Sequence, residues 1–277
     1  MRPKHSKQRI KTALPPARVA AALTILAIVS LAAPARSAPA FVHRSIVLPQ
    51  GDVALDLGLG IGRAPVGPTT SVTGLGMNLE LRGGLSSGLE IGFRTGLRFE
   101  SEGRYTRADN YGRTWETETY PFGNDSVANP ELRLRWLVAR GPGAQLGLEL
   151  RGYLPFESGT RFGIMLGLPV SLHVGSLRID TGVFVPIIFT DPTWSAVSVP
   201  FHLWIQASGN VWLGPLLGVR VINYNGGSYN QYPLGFGLGI GLNSAVDFRT
   251  WFFFPNFRGD QATRTFGVGF ALQVRFE

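Results

Sequence analysis

Arginines and carboxylates at alternating positions are the residues in this chain with the most chemistry to offer. Glu90, Arg94, Arg98 and Glu100 keep an even spacing in one stretch, Glu131, Arg133 and Arg135 in a second, and Glu149 and Arg151 in a third. Even spacing puts side chains on one face of an extended strand. These groups therefore form a charged wall wherever their strands lie side by side. Such a wall has two uses. It can pair internally, arginine to acid, because confined charges need partners. It can also leave guanidinium groups available to a passing carboxylate or phosphate, giving an anion-leaning constriction.

Other candidate chemistry is sparse. Beyond residue 40 the histidines are His43, His173 and His202, and Ser171 shares a strand face with His173. Hydrolysis needs a nucleophile, a base and an orienting group within hydrogen-bond reach; a serine two residues from a histidine supplies at most two of these. No HExxH, GxSxG or calcium-loop pattern occurs, and the chain has no cysteine for a disulfide or a thiolate metal site. The run Gly235, Gly237, Gly239, Gly241 has the spacing of strand alternation, not of a dinucleotide fingerprint. The expectation is a protein with no catalytic residues, no metal and no cofactor.

The elements that position the charged wall follow from hydrophobic patterning. In 51–62, Val53, Leu55, Leu57, Leu59 and Ile61 alternate with Asp52, Asp56, Gly58 and Gly60; 75–82 and 88–100 repeat the pattern. Period-two segments continue to 265–276, where Phe266, Val268, Phe270, Leu272, Val274 and Phe276 alternate with Gly267, Gly269, Ala271, Gln273 and Arg275. About twelve strands result, within a range of ten to fourteen. Pro169, Pro186 and Pro215 fall inside three of them and predict irregular pairing there. Short connections such as 175–176 alternate with long ones such as 101–129, the pattern of an antiparallel meander.

Charge and composition settle which face is outside. The full chain of 277 residues carries a formal charge of +8, but residues 1–40 hold seven of its 26 basic residues and none of its acids. A basic stretch, the apolar run 19–33 and the small-x-small sites ending at Ala35 and Ala40 read as a secretory signal peptide cleaved near 35–40. The remainder is near neutral, which removes the case for nucleic acid as a partner. Charged residues make up only 16% of the chain, and its 36 glycines are nearly twice the usual share of about 7%. Packing so many large apolar side chains inside a barrel of about twelve strands, with glycine toward water, is a poor solution. Lipid outside and a charged, glycine-rich lumen inside is a better one.

An open strand edge in lipid leaves amides unsatisfied at several kcal/mol each, so the last strand must close on the first. That last strand, ending in Phe276 with Glu277 after it, resembles the final strand of bacterial outer-membrane β-barrel proteins. The resemblance is one of architecture and covers the whole chain beyond the signal. It implies an all-β fold: a transmembrane antiparallel up-and-down β-barrel with short periplasmic turns and longer extracellular loops. It also implies that Phe276 is an assembly signal read by the outer-membrane assembly machinery, and that the neighbours are outer-membrane lipids and lipopolysaccharide.

The expected organisation is thus a signal peptide over 1–40, a periplasmic N-terminal leader over 41–50 and an outer-membrane barrel over 51–277. The lumen wall would comprise Arg94, Arg98, Arg133, Arg135, Arg151, Glu90, Glu100, Glu131 and Glu149. Three functions stay open: a passive or weakly selective channel for small, including anionic, solutes; a closed structural or surface-interaction barrel; and, third, a lipid hydrolase, since barrels of this architecture include such enzymes. Loop 101–129, rich in charge and aromatics, is the candidate for a plug or for surface contacts, against the default of a solvated loop.

Overall fold

The structure, a computed structural model, describes residues 40–65, 71–101, 127–156, 161–189, 191–258 and 265–277, with the backbone alone for residues 64–65, 71–72 and 98–101. The signal-peptide segment up to residue 39, and residues 102–126 of the long loop that is the plug candidate, lie outside the described residues.

Alternating side chains produce the strands, and their boundaries fall where glycine, proline and polar residues break the alternation. They are β1 (Val53–Pro65), β2 (Ser71–Ser86), β3 (Leu89–Ser101), β4 (Val127–Arg140), β5 (Ala144–Tyr153), β6 (Gly163–Val174) and β7 (Leu177–Ile188). There follow β8 (Trp194–Gln206), β9 (Val211–Tyr224), β10 (Gly227–Gln231), β11 (Leu234–Gly241), β12 (Val246–Phe254) and β13 (Phe266–Phe276). Neighbours in sequence pair antiparallel, except that β9 passes over β10 to pair with β11. β13 pairs with β1 from Val53↔Phe276 to Arg63↔Phe266. The result is a closed barrel of twelve strands plus one short extra strand.

The extra strand has a local cause. Asn225 (φ 52°) and Gly226 (φ 73°) both adopt positive φ, the requirement of a tight two-residue hairpin turn, for which Asn-Gly is the preferred pair. β10 therefore folds straight back on the end of β9, Gly227 opposite Tyr224.

Burial fixes the orientation of every face. Leu59, Leu81, Leu132, Leu148 and Leu166 are exposed outward, while Gly58, Glu80, Arg133, Glu149 and Gly167 beside them are buried toward the interior. Ladder pairing lapses opposite all three interior prolines: around Pro169 between β5 and β6, around Pro186 between β7 and β8, and around Pro215 between β8 and β9. A residue without an N–H cannot serve the ladder. Both barrel termini, Val53 and Phe276, lie at the end where the short turns 87–88, 141–143 and 175–176 also lie.

Candidate functional site in the barrel lumen

Register brings the charged residues of β1 to β5 into one lattice. Arg133 lies directly across from Arg151, and Asp56 from Glu80. Like charges directly opposed are unfavourable, and the side chains resolve this by reaching diagonally. Arg133 Nη2 contacts both Glu80 Oε1 and Glu90 Oε1 at 2.9 Å. Arg135 Nη2 donates to Glu149 Oε2 at 2.6 Å, and Arg151 donates to Glu149 Oε1 at 2.6 Å and Glu131 Oε2 at 3.1 Å. Arg82 donates to Asp56 at 2.7 Å. Of the sequence-derived wall, Arg94, Arg133, Arg135, Arg151, Glu90, Glu131 and Glu149 are all buried toward the lumen. The side chains of Arg98 and Glu100 lie outside the described residues.

The opposite wall is aromatic laid on glycine. Gly239 is the cross-strand partner of Trp212, and Gly237 and Gly269 are both partners of Trp251. A Cβ at Gly239 would stand 2.1 Å from the Trp212 ring, and one at Gly269 would stand 2.2 Å from the Trp251 ring. The space above these glycines is taken by flat indole rings. Trp204 packs against the cluster of Leu216, Trp251, Phe253 and Ala271.

Between the two walls runs the segment that sequence reasoning placed outside the barrel as a leader. Gly51, at φ +88°, turns the chain from β1 across the short-turn mouth. Gly84 lets it pass, since a Cβ there would lie 1.9 Å from the Pro49 carbonyl oxygen. Each step across the mouth is then held by a lumenal side chain. The Leu48 N–H donates to Glu90 Oε2 at 2.9 Å and the Ile46 N–H to Gln145 Oε1 at 2.9 Å, while Arg135 Nη1 donates to the Ile46 carbonyl at 2.9 Å. Arg178 Nη1 donates to the carbonyls of Arg44 at 2.7 Å and Phe41 at 3.2 Å. Arg44 bonds Asp247, which Arg275 also engages at 2.6 Å. Burial is the largest influence on the Arg44 guanidinium and pulls it below its ordinary pKa, against the Asp247 bond that pushes it up. Near the same mouth, burial and then Glu277 raise the Asp52 carboxyl above its ordinary value.

Val42, Ile46 and Val47 are buried in this position. A signal was available in the sequence: Phe41, Val42, Ile46, Val47 and Leu48 would all stand in water on a solvated leader. A cavity of about 370 Å³ remains between segment and wall, bordered by Phe41, Arg44, Arg178, Trp204, Trp212 and Arg249.

His173 faces the His43 ring, centroids 5.4 Å apart, and Ser171 is the cross-strand partner of Gln145 and Asp180. Phe276 ends β13 with an exposed ring opposite Val53.

No protein-family model and no curated protein sequence matches the chain. Among solved structures, an outer-membrane channel from Pseudomonas putida F1 superposes with a TM-score of 0.62 at 12% identity, over 83% of this chain and 97% of that one. The NanC porin gives 0.55 at 6% identity, over 80% of this chain and 99% of the porin. At these identities the likeness is one of fold, and with the closed ring and the outward apolar face it makes the chain a twelve-stranded β-barrel of the outer-membrane type.

Proposed function

We propose that the protein sits in the outer membrane, exported with cleavage near residues 35–40, and acts as a passive, weakly selective channel for small solutes, favouring anions. The observation that carries this reading is the interior itself: a wall of ionisable groups faces a wall of aromatics across a cavity of about 370 Å³. Arginines outnumber carboxylates among the described lumenal residues, since Arg220, Arg249 and Arg275 join those of β2 to β7. Positive excess in a narrow, low-dielectric passage raises the local anion concentration. The two similar barrels are a channel and a porin, which supports the same reading. Segment 41–50 then narrows the periplasmic mouth, and cleavage before it leaves an end free to enter the lumen without threading a loop. Phe276 serves as the assembly signal.

A second reading has its own observation. The carboxylates engage Arg133, Arg135 and Arg151 directly, and the segment crosses the mouth, as in a closed structural barrel.

Planar-bilayer recording separates them. The refolded mature chain shows step conductance, with a reversal potential in a KCl gradient displaced toward anions. Deleting 41–48 enlarges the step, and Arg133→Gln, which strips Glu80 and Glu90 of a shared cation, moves the reversal potential toward cations. Absence of steps in both the mature chain and the deletion, at any salt concentration, overturns the channel reading in favour of the closed barrel.

A further inference from the structure

The seat of Phe41 is built with more specificity than a plug requires. Its ring stacks on Trp212, centroids 4.6 Å apart and planes 4° from parallel. The Trp204 ring meets it edge-on at 5.5 Å and 79°. The guanidinium carbons of Arg178 and Arg44 stand 5.1 and 5.8 Å from the ring centroid. Trp212 is itself almost wholly buried and laid on Gly239, so the platform is rigid. Four aromatic or cationic groups thus converge on one six-membered ring.

The polar part of the seat is the more telling. Arg178 is paired through Nε with Asp180 at 2.8 Å, while its Nη1 spends its hydrogen bonds on two neutral carbonyl oxygens, of Phe41 and Arg44. A guanidinium bonds a carboxylate more strongly than a neutral carbonyl. Phe41 therefore satisfies the ring position fully and the Nη1 edge of Arg178, the edge turned away from Asp180's bond at Nε, only through a neutral oxygen. In phenylalanine the carbonyl carbon is separated from the ring by two carbons. A free acid with that same separation would put a carboxylate where Arg178 now finds the Phe41 carbonyl, with its ring on Trp212.

We propose that the Trp212, Trp204 and Arg178 cradle is a binding subsite for aromatic carboxylates of the arylpropionate type, which Phe41 occupies until such a solute displaces it. The anchors of the segment divide accordingly. Residues 46–48 are held by Glu90, Gln145 and Arg135 on β3 to β5. Residues 41–44 are held chiefly by the cradle and by the Arg44 bond to Asp247. Asp247 keeps Arg275 when Arg44 leaves, so displacement does not strand a buried carboxylate. Binding at the subsite stands on this geometry alone; its role as the first contact of a permeating solute rests on the channel reading.

The test is calorimetric titration, with tryptophan fluorescence as a second readout, of the refolded mature protein in detergent micelles. The probes are 3-phenylpropionate, hexanoate as a carboxylate without a ring, and 3-phenylpropan-1-ol as the ring without a carboxylate. Saturable binding is expected for 3-phenylpropionate, at least roughly tenfold tighter than for either control. Phe41→Ala, which lies outside every strand and spares the barrel, removes the internal competitor and tightens binding by roughly tenfold, the gain expected when a tenth-populated competent state becomes the main one. Arg178→Gln weakens 3-phenylpropionate and leaves the alcohol unchanged. Equal binding of all three probes, or an affinity that Phe41→Ala leaves unaltered, overturns the proposal. Saturable binding in a protein that gives no conductance steps would remove the channel reading and leave the subsite standing. Steps without saturable binding would do the reverse.

Discussion

Glu149 holds two guanidinium groups at once, Arg135 on Oε2 and Arg151 on Oε1, each at 2.6 Å, with its own side chain fully buried. Removing one member of a buried ionic cluster costs more than the cluster contributes, because the remaining charges lose their counter-ion in a place water does not reach. Glu149→Gln keeps the shape and removes the charge. It should lower stability by about 3 kcal/mol, near the bottom of the range for a broken buried pair, measured by urea unfolding in micelles. The exposed Arg140, which donates to Ser45 at 2.7 Å, provides the contrast: Arg140→Ala should change stability by less than about 1 kcal/mol. At this scale the sequence disclosed which face each charge occupies, since parity is a property of one strand. It did not disclose partners. Arg133 reaches Glu80 and Glu90 rather than a residue directly opposite, and that choice depends on register between three strands.

Strand β11 shows why a glycine-rich element here is filled rather than empty. Three of its four lumenal glycines are matched to a bulky ring on a neighbouring strand, Gly239 to Trp212, Gly237 to Trp251 and Gly235 to Phe253, the pairing in which an aromatic covers a strand glycine. Gly239→Ala places a methyl group 2.1 Å from the Trp212 ring, which must move. Overpacking of this kind costs about 1–3 kcal/mol. Gly152→Ala on β5, with nothing within 4 Å of the added carbon, should be close to neutral. Urea midpoints of the two variants check this, and an equal effect would show that the indole yields without cost. The strands themselves were legible, because alternation of large apolar and small or polar residues needs no knowledge of neighbours. β10 was missed although Asn225-Gly226 announced it, and segment 41–50 was missed for a different reason. A stretch without period two looks like a tail until the side chains that receive its backbone, Glu90, Gln145 and Arg178, are known to converge on it.

Closure is the property that belongs to the molecule as a whole, and Asp56 sits at its seam. Its carboxylate accepts from Arg82 on β2 at 2.7 Å, from Gln273 on β13 at 3.0 Å and from Arg249 on β12. One side chain on β1 thus ties the first two strands to the last two, across a separation of 217 residues to Gln273. Closure had to be argued from lipid rather than read from pattern, because no local signal pairs the first strand with the last. Contacts so distant in sequence are made at the greatest entropic cost and tend to limit the rate of folding. Asp56→Asn removes the carboxylate that Arg249 engages and the one that Arg82 engages at 2.7 Å. Its equilibrium loss should match that of Glu149→Gln, about 3 kcal/mol. The two should differ in kinetics. Refolding from urea into micelles, followed by the shift to the compact form on unheated gels, slows for Asp56→Asn, whose contacts span the seam. Glu149→Gln, whose partners lie on adjacent strands close in sequence, should mainly accelerate unfolding. Equal refolding rates for the two variants would show that the seam closes before the limiting step, and that some other part of the ring is the last to form.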